Sequence, residues 1–378
     1  MNPLYLLFFL GFIISVDLRI LTPVLPSISL SLDASPGAVG LAMTTYSIAY
    51  GIGQLFYGPL SDRSSRIAVV RATGIGFAIC TVLSALSLTP WQFILVRFLT
   101  GAFAGAVIPL TLVFIGDTVE YEQRQIVLGR YSAVTASAAA FSAAIGGTVA
   151  HFLSWRVMLI GYGLVALIPV ALMWRQKANV RPQHEGVADS YGDILRNPRA
   201  LLIYAAMMME GFMFFGGMTY AGAFAAFRYH LDLFTVGMLI ALAGVGTVAG
   251  GLMMDTIRRH LSENALAALG GILMGGANLA LIPDGPLPVF AASMLCMGLG
   301  YASLHTTLQL RGTQISVSSR GKAYSLLVFF FFVGISTGSA AFGWLVDAGK
   351  YEAVFAIAGA GLIVTGLVTA FAPTRGNA

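Results

Sequence analysis

The chain has 378 residues, of which 57% are hydrophobic and only 10% charged, with a formal net charge of +5. Soluble domains carry about 25% charged residues, so a water-soluble globular protein of this length is excluded, because it could not cover its surface. The two cysteines, Cys80 and Cys296, both fall in apolar runs and exclude a disulfide framework.

Apolar runs recur at the length that a helix needs to span about 30 Å of hydrocarbon. They predict membrane helices at 4–30, 38–60, 67–88, 91–116, 128–150, 156–174, 200–227, 235–257, 263–283, 287–311, 322–346 and 352–372. These are called spans 1 to 12 below. The first run has no basic flank ahead of it and carries Asp17 and Arg19 in its middle, so it reads as a mature helix and not as a cleaved leader. Arg175 to Arg199 is the sole long polar stretch. It reads as a linker (175–199) between an N-terminal bundle, 1–174, and a C-terminal bundle, 200–378. Lys and Arg alternate between loops. Sixteen fall in the loops after spans 2, 4, 6, 8 and 10 and in the tail, while only Arg156, Arg228 and Lys350 fall on the other side. That bias predicts cytosolic basic loops and cytosolic termini, in a multi-pass protein of a bacterial inner membrane. It also accounts for the positive charge without nucleic acid as a partner.

The two halves repeat each other. Gly58-Pro59-Leu60-Ser61-Asp62 with Arg66 recurs as Gly251-Leu252-Met253-Met254-Asp255 with Arg259, at an offset of 193 residues. The same offset sets Asp17 of span 1 against Glu210 of span 7. Parallel repeats of six spans predict an all-α membrane protein: two six-helix bundles about a pseudo-two-fold axis along the membrane normal, with a binding site between them near the midplane.

An ionisable group inside a membrane helix costs about 2.5 kcal/mol or more on insertion scales, so four intramembrane residues stand out. At a rise of about 1.5 Å per residue, Asp17 and Arg97 sit at similar depth, where a guanidinium would keep the carboxylate ionised until the two separate. They are candidates for proton coupling, with the alternative of a fixed ion pair joining spans 1 and 4. Arg19 lies on another face of span 1 and is a candidate to attract an anionic substrate or to pair structurally. Glu210 sits among Met207, Met208, Met209, Phe212 and Met213 with no basic residue nearby in sequence, and is expected to bind a proton or meet a cationic substrate. Tyr46, Gln54, Met213, Asn278 and His305 complete the expected substrate cavity, although His305 also reads as structural. Glycines four apart, Gly101/Gly105, Gly246/Gly250 and Gly334/Gly338, read as close helix contacts. Pro23, Pro26 and Pro109 are expected to kink their spans.

The segment Gly58-Pro59-Leu60-Ser61-Asp62-Arg63-Ser64-Ser65-Arg66 resembles the loop signature between helices 2 and 3 of the major facilitator superfamily. Leu95-Val96-Arg97-Phe98-Leu99-Thr100-Gly101 resembles that family's arginine motif in helix 4, and Ser154-Trp155-Arg156 the start of its helix 6. Asp17 followed by Pro23 and Leu25-Pro26 is similar to the drug/proton antiporter branch, whose glycine-proline motif in helix 5 is replaced here by Ala138, Ser142, Ala143, Gly146 and Gly147. The resemblance implies a cytosolic latch between the halves from Gly58, Asp62, Arg63, Arg66, Asp117, Asp255 and Arg259. Asp62 would face the positive end of span 11, and Arg66 would meet Asp117.

No Gly-x-x-x-x-Gly-Lys-Ser/Thr loop and no His-Glu-x-x-His occurs. The expectation is a secondary transporter and not an enzyme, without a cofactor, driven by the proton gradient and monomeric among membrane lipids. Its substrate would be a small, partly hydrophobic compound, exported by alternating access. A metabolite or sugar facilitator or importer and a lipid flippase are the alternatives.

Overall fold

A computed structural model describes residues 3–174, 190–283, 285–316 and 320–371. The described residues are almost entirely helical, and the rods fall where the apolar runs predict them. Span 1 is Pro3–Ile20 continued by Leu25–Ser31; span 2 is Pro36–Arg63; span 3 is Arg66–Ala85; span 4 is Pro90–Ala104 continued by Val107–Thr118. Spans 5 and 6 are Tyr121–Phe152 and Trp155–Met173. Span 7 is the interrupted rod Pro198–Tyr229. Spans 8 to 12 are Leu233–Ile257, Glu263–Leu279, Leu287–Thr313, Arg320–Asp347 and Tyr351–Phe371. Among the described residues, nine of these rods are long and apolar enough to cross a bilayer, and spans 2, 5 and 9 complete the twelve. Of the expected linker, 175–189 lies outside the described residues; from Ser190 the chain forms a short capped helix, Tyr191–Leu195.

Local chemistry sets where the rods begin. Ser35 accepts from the Ala38 amide and Pro36 follows it. Thr89 and Gln92 form a capping box ahead of span 4. Ser154, Asp232 and Ser262 cap spans 6, 8 and 9. Each supplies an acceptor to a backbone N–H that the helix itself leaves without one. The breaks also have causes in the sequence. Span 1 is interrupted between Ile20 and Leu25, around Pro23. Span 4 is interrupted after Ala104, because Pro109 has no N–H for the carbonyl of Gly105. Span 7 passes through one π-helical turn, Gly211–Phe215, directly after Glu210.

The halves meet along two seams, span 2 against span 11 and span 5 against span 8. Small residues allow the close approaches. A methyl group on Gly101 or Gly105 would run into the backbone carbonyls of Tyr46 and Tyr50, and one on Gly334 or Gly338 into those of Met208 and Phe212. Gly147 of span 5 faces Gly237 of span 8 backbone to backbone. The predicted glycine spacing thus marks where helices touch, as expected when packing replaces the hydrophobic drive in lipid.

Candidate substrate and coupling site

Between the halves, midway along the spans, lies a cavity of about 150 Å³. Span 1 contributes Arg19 and Thr22, span 2 Ser47, span 7 Phe214 and Phe215, span 10 Tyr301, and span 11 Phe331 and Phe332; span 8 closes it with Ile240, Ala243, Gly244 and Thr247. Most of this wall is apolar. The guanidinium of Arg19 lies 5.0 Å from the Phe215 ring centre and 5.9 Å from that of Tyr301. Cation–π contacts of this kind offset part of the cost of a charge in the membrane. No carboxylate among the described residues is within ion-pair distance of it.

Asp17 and Arg97 do come together. Nη1 and Nη2 of Arg97 donate to Oδ1 and Oδ2 of Asp17 at 3.1 and 3.0 Å, and neither side chain is exposed. The fork-to-fork geometry is the strongest arrangement open to this pair. The guanidinium also lies 4.5 Å from the ring centre of Tyr46. Span 1 is thereby fastened to span 4.

Glu210 has a basic partner, contrary to the expectation from its sequence neighbours. Nδ1 of His305 in span 10 lies 2.8 Å from its Oε2, and the carboxylate is fully buried. The amide Nε2 of Gln309 lies 3.1 Å from His305 Nε2 and donates to the Tyr324 hydroxyl at 3.2 Å. An imidazole with its proton on Nδ1 satisfies both neighbours, donating to Glu210 and accepting from Gln309. Oε1 of Glu210 is buried with no hydrogen-bond partner among the described residues. The Tyr301 ring, which lines the cavity and lies 5.9 Å from the Arg19 guanidinium, stacks on the imidazole at 4.5 Å. The partner was invisible in sequence because 95 residues separate the two.

Of the other expected cavity residues, none reaches the wall. Tyr46 is taken up against Arg97, and Gln54 is buried elsewhere in span 2. Met213 packs against Gly361 of span 12. Asn278 donates to the carbonyl of Met274 in its own helix at 2.9 Å. His305 is held behind Tyr301. In each case a polar or flexible side chain found a partner nearer than the cavity. In the expected latch, Arg66 and Asp117 do form an ion pair, while Arg259 is exposed at the end of span 8. Gly58, Asp62, Arg63 and Asp255 lie outside the residues whose side chains are described. Among the described residues no cluster of His, Cys, Asp or Glu is fit to hold a metal.

The face opposite the basic loops carries contacts that the sequence reading missed. Asp347, at the end of span 11, accepts from the Gly37 amide and from the Ser35 hydroxyl, both at 2.7 Å, and so covers the start of span 2. At the other seam, His151 at the end of span 5 lies 3.6 Å from Asp232, the cap of span 8. Deeper in, the Tyr220 hydroxyl donates to the Ser339 carbonyl at 2.7 Å. One signal was available: Asp347 and His151 are 196 residues apart, within three of the 193-residue offset of the repeat.

Comparison with known proteins agrees with this architecture. The description of the Major Facilitator Superfamily matches residues 7–315. An uncharacterized MFS-type transporter of Bacillus subtilis (strain 168), YceJ, is 23% identical over 363 residues, covering 93% of this chain and 91% of that protein. A chloramphenicol resistance protein of Pseudomonas aeruginosa is 25% identical over 301 residues, covering 76% of this chain and 71% of that protein. A solved structure of the nucleoside transporter NupG superposes with a TM-score of 0.82 at 13% identity, covering 97% of this chain and 99% of that one.

Proposed function

The chain belongs to the Major Facilitator Superfamily, and from that premise we propose that it is a proton-coupled exporter of a small, partly hydrophobic compound, working by alternating access. That it is a multi-pass membrane transporter and not an enzyme follows from the family and its relatives. The observation that carries the coupling is the Glu210–His305 pair: two titratable groups 2.8 Å apart, the carboxylate fully buried and the imidazole stacked on Tyr301 of the cavity wall. Export is supported by a relative named for resistance to chloramphenicol. The basic-rich face is placed in the cytosol together with both termini, on the bias of Lys and Arg between the loops.

In this reading Asp17 stays ionised and holds Arg97, so spans 1 and 4 move as one body. Glu210 takes up and gives back one proton per cycle, and His305 is its exchange partner. The free Oε1 of Glu210 gives a proton a place to sit without displacing the imidazole. A π turn begins at Gly211, directly after this carboxylate, and such turns are frequent at functional sites. Substrate bound against Tyr301 then bears on the same ring that stacks on His305. The Asp347 and His151 contacts on the far face must break before the cavity opens outward.

Proteoliposome flux with and without an imposed pH gradient tests the coupling. Glu210→Gln is expected to abolish gradient-driven transport while exchange of labelled for unlabelled substrate persists. Uphill transport by Glu210→Gln at the parent rate, with the parent pH dependence, would mean that this pair is not the coupling site. The orientation is tested by labelling a Ser64→Cys variant, which should react only from the cytosolic side.

A further inference from the structure

We propose that the central cavity takes a single-ring organic acid as its monoanion, with the carboxylate on Arg19 and the ring among Phe214, Phe215 and Phe331. The inference rests on the transporter reading above and names the substrate class of that same cavity.

The charge on the wall carries the argument. Arg19 lines the cavity, and both nearby carboxylates are already committed, Asp17 to Arg97 and Glu210 to His305. Neither of those carboxylates is on the wall. The Tyr301 hydroxyl is a polar neighbour of the guanidinium, but it brings no countercharge. A neutral ligand would leave this guanidinium in the membrane without a counterion, and a cationic ligand would add a second positive charge beside it. A carboxylate supplies the missing charge and fits the guanidinium fork with two parallel hydrogen bonds. Size and surface set the rest of the molecule. An apolar cavity of about 150 Å³ is large enough for a benzene ring, and this one has that volume. Its aromatic walls are already arranged edge to face, with Phe215 at 5.4 Å and 88° to Phe331, so a third ring can join the set. Thr22 and Ser47, also on the wall, offer hydroxyls to a ring substituent.

The test compares pairs of nearly equal shape in which a neutral amide replaces the carboxylate: salicylate with salicylamide, and 3-phenylpropionate with 3-phenylpropanamide. Binding to the purified full chain in nanodiscs is measured by titration calorimetry at neutral pH. Each acid is expected to bind roughly tenfold to a hundredfold tighter than its amide, the range of a charge-assisted hydrogen bond. Arg19→Gln should bring acid and amide together, and Arg19→Lys should restore part of the difference. Equal binding of acid and amide to the parent protein, or no binding of any acid, overturns the proposal without need of a variant. A preference that survives in Arg19→Gln overturns the role of this residue. Reactivity of single cysteines at the two faces, followed as pH is changed without ligand, tests the transporter reading separately. If accessibility switches between the faces while acid and amide bind alike, only the substrate class fails. If it never switches, alternating access itself fails.

Discussion

At the residue scale the site consists of one buried ion pair, Asp17–Arg97, and one hydrogen-bonded pair, Glu210–His305. Arg97 is used at both Nη atoms by Asp17, which has both carboxylate oxygens engaged, whereas among the described residues Glu210 Oε1 has no partner. Removing one member of a buried pair leaves the other charge uncompensated and costs about 3–5 kcal/mol. Asp17→Asn is therefore expected to lower the unfolding temperature in detergent sharply, and adding Arg97→Gln to it should recover part of the loss. Unfolding of Asp17→Asn at the parent temperature would show that the pair does not fasten span 1 to span 4. Outside the membrane, Asp232 gives a pH dependence with a definite sign. The Thr235 amide, first among several donors, holds its carboxyl below the usual carboxylate range. The cap is then complete above the ordinary value of about 3.9 and is lost as pH falls through the lower folded value. Hydrogen exchange at Thr235, corrected for its intrinsic rate, should stay protected down to about pH 4 and weaken only in stronger acid. Weakening already near neutral pH would assign the protection to another group.

At the element scale, span 7 decides the geometry of the site. Gly334 and Gly338 of span 11 let Met208 and Phe212 of span 7 approach backbone to backbone, on either side of Glu210. Overpacking of such contacts costs about 1–3 kcal/mol. Gly338→Val should lower stability by that amount and reduce transport, because it pushes span 7 away at the π turn. Gly251→Ala is the matched control, since a methyl group there meets nothing within 4 Å. If the two variants unfold alike, the close approach of spans 7 and 11 does not hold the site.

At the scale of the whole molecule, the internal repeat accounts for the closure of the far face. In both seams the residue that caps one helix is met by the end of a helix from the other half: Ser35 by Asp347, and Asp232 by His151. An anion at a helix N-terminus contributes about 0.3–1 kcal/mol when exposed, and Asp347 adds two hydrogen bonds to that. Asp347→Asn is expected to shift the protein toward the state open at this face. Spin-label distances between the ends of spans 2 and 11 should then lengthen in part of the population. A distribution identical to the parent's would remove Asp347 from the closure.

The sequence alone determined the number of spans, most of their ends to within a few residues, the glycine contacts and the Asp17–Arg97 pair, while the resemblance to a known family supplied the Arg66–Asp117 pair. Apart from that last pair, these follow from local quantities, namely the length of apolar runs, capping residues and breakers, and the rise per residue that sets depth along the membrane. Depth was enough for Asp17 and Arg97 because few charges compete inside the bilayer. It was not enough for Glu210, whose apolar neighbours in sequence hid His305, nor for the cavity, where only Arg19 of six expected residues reached the wall. Only the tertiary structure decided these, because which face of a helix a side chain occupies, and what stands opposite it, depends on how the twelve rods rotate against one another.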